Sequence, residues 1–384
     1  MKVSAGTDFN FGPPGRGKDL IYQVHKRAVF RPLLCYTNKN PPRHRPGGKN
    51  RRKELLKMKK RKTATLFVFS VMMTFLTACS FGKEPSSSAK TSDSASDKYP
   101  APVTVFGRYE SDPLKMAPNY SYSLSKVHEV DGRQGIAWEK GVYYVSGSTT
   151  LSTYDSDWNR LALNDSPFDG YEKEVNHIGD IDVYEGEIYA GVEHFLDGEA
   201  KNIQIAIYDT QTLKMKRTFS FEPESGQTEV SGIAVDPDSH SVWMCSWADG
   251  DSGRYLYRYD LSSGKYLGKL HLQAPPQWIQ GISYYDGWIY ITADDGTADL
   301  GEPDHVYRCS ADTSASAATV LLERTLDDVT LQGEIEGISF DRDNGQMLIS
   351  YNRGARIVLG MPKGFYQGYD REIHEIFAYD MAMR

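Results

Sequence analysis

With four cysteines among 384 residues, the chain cannot be a disulfide-stapled scaffold. No Cys or His pair stands at the close spacing that a zinc site needs. A phosphate loop is missing too. Gly12-Pro13-Pro14-Gly15-Arg16-Gly17-Lys18 is glycine-rich but lacks the Gly-Lys-Ser/Thr ending and the strand and helix that must flank it. From about Pro100 onward no amphipathic helical pattern interrupts the chain. Basic charge is also scarce there. Residues 1 to 78 hold 18 Lys and Arg against 3 Asp and Glu, while the rest holds 26 against 48, a net of −22. So negative a field excludes nucleic acid as a partner and suits divalent cations or basic ligands.

The apolar run Ala64 to Ala78 is fifteen uncharged residues, about 22 Å of helix. That falls short of the roughly 20 residues that span a bilayer. It follows Met58-Lys59-Lys60-Arg61-Lys62 and ends in Leu76-Thr77-Ala78-Cys79, so a cleaved export signal is expected rather than a membrane span. The motif resembles the lipobox of bacterial lipoproteins, which implies cleavage before Cys79, acylation of that cysteine and anchoring in a lipid bilayer on the extracytoplasmic side. Residues 1–57 then form an upstream extension, 58–78 the signal peptide and 79–99 a flexible Ser-, Lys- and Asp-rich tether. Residues 100–384 form the globular domain. Of its two cysteines, Cys245 and Cys309, neither has a histidine tied to it in sequence.

That domain repeats. Gln134-Gly135-Ile136-Ala137, Gly179-Asp180-Ile181-Asp182, Ser231-Gly232-Ile233-Ala234, Gln280-Gly281-Ile282-Ser283 and Glu336-Gly337-Ile338-Ser339 recur at steps of 45, 52, 49 and 56 residues. Each is followed by a second apolar strand, and third strands end in Tyr154-Asp155, Tyr208-Asp209, Tyr259-Asp260 and Tyr379-Asp380, with Cys309-Ser310 in the fourth unit. Four short strands per unit of this length predict an all-β protein, a β-propeller of five four-stranded blades. The fifth unit is one strand short at the C-terminus. Tyr120 to Val130 has strand character and no unit of its own, so pairing of the N- and C-terminal strands should close the ring. The Tyr-Asp pairs are read as inter-blade packing and turn starts.

Function follows from which loops share a face. First strands begin where second strands end, which gathers Gln134, His177, Asp180, Glu229, Ser231, Gln280, Glu334 and Glu336 around the central channel. Around these the candidate ligand-binding residues are Glu193, His194, Trp247, Asp249, Trp278, Asp294, Asp295, Asn352 and Arg353. Converging oxygens suit Ca2+, with Asp180, Glu229, Gln280, Glu334 and Glu336 as its expected ligands. His177 and Asp180 are the candidate general base and its neighbour. Trp247 and Trp278 offer an aromatic platform for a sugar or a quaternary ammonium. Residues 354 to 375, with Gly364-Phe365-Tyr366-Gln367-Gly368-Tyr369, form a long aromatic insertion.

The Gly-Ile-Ala/Ser openings at Gly135, Gly232, Gly281 and Gly337 resemble those of extracellular calcium-dependent lactonase and strictosidine-synthase-like propellers. The resemblance implies a central calcium and hydrolytic activity in a six-bladed ring, where five units are visible here. No catalytic residue is carried over from it. Three readings stand: a lipid-anchored propeller binding a metal ion or small ligand, a calcium-dependent hydrolase of a lactone, phosphoester or glycoside, and an interaction module for an extracellular protein.

Overall fold

Each anchor isoleucine lies in an inner strand, because apolar and β-branched residues follow it and Gly or Asp-rich turns end each run. A computed structural model describes residues 117–384 apart from 197, 249, 359 and 360. The expectations for Cys79, for segments 1–57, 58–78 and 79–99, and for Asp249 lie outside the described residues. Among those described, no helix is long and apolar enough to cross a membrane.

Five sheets stand where the five anchors are. From inner to outer, blade I consists of Ile136–Glu139, Val142–Gly147, Thr150–Tyr154 and Arg160–Asn164, and blade II of His177–Tyr184, Glu187–Leu196, Glu199–Asp209 and Met215–Ser220. Blade III is Ile233–Asp236, Ser241–Met244, Tyr255–Asp260 and Tyr266–Gln273; blade IV is Ile279–Tyr285, Trp288–Ala293, His305–Ser310 and Leu321–Thr325. Blade V contributes Gln332–Asp341, Gln346–Arg353 and Ile373–Met383, and the N-terminal Tyr120–Glu129 is its outer strand. Tyr120 stands opposite Met383 and Glu129 opposite Glu375. The ring is closed by its two ends.

Two details were not foreseen. Ala317–Thr319, from a loop of blade IV, adds a fifth, parallel strand to the edge of blade III. The insertion after blade V's second strand forms a hairpin, Ala355–Val358 with Met361–Phe365.

The core lies between blades. Tyr144 and Leu151 of blade I pack with Ile181 and Ile188 of blade II, and Trp243 and Leu256 of blade III with Ile282 and Ile291 of blade IV. Tyr154, Tyr208, Tyr259 and Tyr379 are all buried. Asp155, Asp209 and Asp260 accept backbone N–H bonds from residues two to three positions on, which builds the turns. Cys245 and Cys309 are free thiols buried in one inter-blade cluster. Burial pushes the Cys309 thiol up to about 12 and the Cys245 thiol up as well; neither is poised as a nucleophile.

Closure has a polar latch. Glu323, on the outer strand of blade IV, accepts hydrogen bonds from the N–H groups of Asn119 (3.1 Å) and Tyr120 (3.2 Å) and from the Tyr122 hydroxyl (2.7 Å). Arg308 Nη1 donates to the same carboxylate at 2.7 Å, and both members of this ion pair are fully buried.

Candidate functional site

The five inner strands converge on Asp180. Its Oδ1 accepts from the N–H groups of Ile181 (2.8 Å) and Ile136 (3.2 Å), and its Oδ2 from Ile338 N–H (3.3 Å). A Cβ on Gly135 would lie 2.6 Å from Oδ1, and one on Gly281 2.7 Å from Oδ2. The recurrent glycine is therefore a clearance requirement at the axis. Asp180 stitches blades I, II and V together and fills the space where a channel was expected.

Above this plug the expected face does form. Gln134, His177, Glu193, Glu229, Ser231, Trp247, Gln280, Glu334 and Glu336 line one cavity of about 170 Å³, joined by Arg133, Ser148 and Phe195. Arg133 and Ser148 were missed, although one precedes the first anchor directly and the other follows a second strand. Arg133 is the cavity's cation: its Nη2 lies 3.1 Å from Glu334 Oε2 and 3.8 Å from Glu336 Oε1, and its Nε 3.4 Å from Glu372 Oε1. Gln280 donates to Glu334 Oε1 at 2.8 Å. Glu336 Oε1 accepts from Gln134 Nε2 (3.0 Å) and Asn352 Nδ2 (2.8 Å).

This network sets the tautomer of His177. Because Gln134 spends its amide nitrogen on Glu336, its Oε1 is the atom 3.0 Å from His177 Nε2. Nε2 therefore carries the proton and Nδ1 is a bare lone pair. Nδ1 lies 3.6 Å from Glu193 Oε1, and neither atom has a hydrogen-bond partner. Burial holds Glu193 up to about 8, so it retains its proton at neutral pH. Burial and then the Arg133 charge push His177 down to about 4, so it is neutral. Glu229 is raised by burial and by Glu193, and Glu336 by burial and by Glu334. Glu334 is raised by burial against the pull of Arg133.

The remaining candidates stand apart from this cavity. His194 faces Glu174, its Nε2 3.8 Å from Oε1. Asp295 accepts from the Tyr307 hydroxyl at 2.6 Å and stands 2.8 Å from His305 Nδ1. Arg353 makes a bidentate pair with Glu375 at 2.6 and 2.7 Å and donates to the Tyr369 hydroxyl. Trp278 and Asp294 line a neighbouring cavity that meets the first at Trp247.

Of the five residues expected to hold calcium, Glu229, Gln280, Glu334 and Glu336 line the cavity and Asp180 does not. Asp180 lies below the cavity with both oxygens on backbone amides, Glu336 Oε1 on two side-chain amides, and Glu229 Oε2 accepts Trp247 N–H at 2.6 Å. Among the described residues no group of three or more His, Cys, Asp or Glu is placed to hold a metal. Arg133 supplies positive charge at this site. In this arrangement protein donors engage both carboxylate oxygens of Asp180 and Glu334 and one each of Glu229 and Glu336.

No protein-family model matches the chain, and no curated protein does. Among solved structures, similarity extends to a gluconolactonase of Xanthomonas campestris at 14% identity, covering 62% of this chain and 68% of that one with a TM-score of 0.37. A PQQ-bound aldose sugar dehydrogenase of Streptomyces coelicolor is similar at 12% identity over 69% of this chain and 100% of that one, TM-score 0.39. Hydrazine synthase of Kuenenia stuttgartiensis is similar at 8% identity over 67% of each chain, TM-score 0.36. Likenesses this remote carry no argument about chemistry. The five-bladed propeller rests on the strand pairing itself.

Proposed function

We propose that the protein is a lipid-anchored extracytoplasmic propeller that takes a small polar molecule into its axial cavity and acts on it by acid–base chemistry at Glu193 and His177. One observation carries this reading: Glu193 Oε1 and His177 Nδ1 face each other across 3.6 Å, each without a partner. A buried polar atom without a partner costs about 1–3 kcal/mol, which a hydroxyl or water bridging the two atoms from the cavity side would offset. Glu193, with its proton retained at neutral pH, is the general acid. Neutral His177 accepts a proton at Nδ1, its ring held by Gln134. Hydrolysis of a lactone, phosphoester or glycoside is the reaction class these roles serve.

The test is a hydrolysis screen of the full chain against lactones, phosphoesters and glycosides, run with added calcium and with chelator. Turnover is expected, and Glu193→Gln should lower it about 10²- to 10⁴-fold with the melting temperature retained. Turnover unaffected by both Glu193→Gln and His177→Asn, or uniformly negative screens, would overturn the catalytic reading and leave ligand or protein binding.

A further inference from the structure

The second cavity, of about 200 Å³, lies on the same face and shares only Trp247 with the first. Its walls are Trp247, Trp278, Asp294, Asp304, Gln332 and Arg356. The two indoles pair with ring centroids 4.9 Å apart and planes inclined by 37°. Trp278 is held at φ 54°, a left-handed backbone that strains a bulky residue by about 1–3 kcal/mol. Its carbonyl accepts from Asp294 N–H at 3.0 Å, so the strained turn is fastened to the end of blade IV's second strand.

Asp304 is an independent pointer. It is 1% exposed, its Oδ1 accepts from Gly296 N–H at 2.9 Å, and its Oδ2 has no partner. A buried carboxylate in the wall of a cavity, with one oxygen lacking a hydrogen bond, requires an explanation. We propose that this cavity is a subsite for a neutral cyclic polyol, such as a single sugar ring, which lies against Trp278 and Trp247 and donates a hydroxyl hydrogen bond to Asp304 Oδ2.

The alternatives fit less well. An anion would meet Asp299 beside Arg356. A cation would meet Arg356, which forms an ion pair with Asp299 at the rim. Burial brings Asp304 up to about 7, so at neutral pH its carboxyl both donates and accepts, as a sugar hydroxyl does. A volume below the roughly 300–1,000 Å³ of drug-sized sites restricts the occupant to about one ring. This assignment does not rest on the acid–base reading of the first cavity.

The test titrates the full chain with glucose, galactose and myo-inositol, reading tryptophan fluorescence and saturation transfer to the ligand. Tetramethylammonium and inorganic phosphate serve as charged probes. At least one polyol should saturate the signal, and Trp278→Ala and Asp304→Asn should each weaken it about tenfold or more. Trp278→Phe, which keeps an aromatic face, should retain most of the affinity and guards against a folding defect. The proposal is overturned if no polyol binds below about 10 mM, or if tetramethylammonium or phosphate saturates the same tryptophans. It is equally overturned if affinity survives Trp278→Ala while His177→Asn removes it, which would move the ligand to the axial cavity.

Discussion

Asp180 of blade II and Gly281 of blade IV meet across the propeller axis: a methyl group on the glycine would stand 2.7 Å from Asp180 Oδ2. The contact joins two non-adjacent blades, and the same carboxyl ties in Ile136 and Ile338. Asp180→Asn places an N–H donor where an oxygen accepts, so it should destabilise the fold by about 1–3 kcal/mol. Gly281→Ala should cost a similar amount by overpacking. Chemical denaturation measures both. Unchanged stability in both variants would remove the structural role assigned to Asp180.

His177 should show the Nε2–H tautomer at neutral pH. Nitrogen-15 correlation spectra of the imidazole read this directly, and Gln134→Leu, which removes the acceptor at Nε2, should redistribute the proton between the two nitrogens. A wild-type Nδ1–H tautomer would contradict the network drawn from Gln134 through Glu336.

Stability should fall as pH rises from 6.5 to 8. Glu193 is held up to about 8 and Asp304 to about 7 in the fold, so the native state keeps protons that the unfolded chain has lost. Their stabilisation is full below the unfolded carboxyl range and disappears as pH climbs through those values. The slope is at most about 1.4 kcal/mol per pH unit for each proton. His177, lowered to about 4, acts with the opposite sign and only below about 6.5. Melting temperatures across this range should therefore decline, and Glu193→Gln should flatten the decline.

Glu323→Ala should loosen ring closure. It strips one buried carboxylate from Arg308 and from the entry of the N-terminal strand, and removing one member of a buried pair costs about 3–5 kcal/mol. Hydrogen exchange should rise first in Tyr120–Glu129 and its partner Ile373–Met383. Exchange that rises uniformly around the ring would argue against a local latch.

Cys79→Ser should move the protein from the membrane fraction to the soluble fraction and abolish metabolic labelling with palmitate. Retention in the membrane after this change would sink the lipid-anchor proposal.

Blade number and closure were legible in the chain because a Gly-Ile opening repeats at regular steps and the last unit lacks a strand. The composition of the axial cavity was legible for the same reason: residues beside the anchors and after second strands must share a face once blades form. Individual roles were not. Asp180 lies in an anchor and Arg133 directly before one, yet the first is buried as a plug and the second is the cavity's cation. That choice depends on how closely the inner strands approach.

The residues in order were thus enough to determine the repeat, the ring and the acidic character of one face, since these follow from local periodicity and charge. Only the tertiary structure decided that the axis is filled, that His177 presents a bare Nδ1 to Glu193, and that Asp304, in the wall of a tryptophan-lined cavity, keeps one oxygen unpartnered. Each of these depends on distances of a few ångströms. The axial bond from Ile338 to Asp180 joins residues 158 positions apart, and its geometry exists only after the ring has closed.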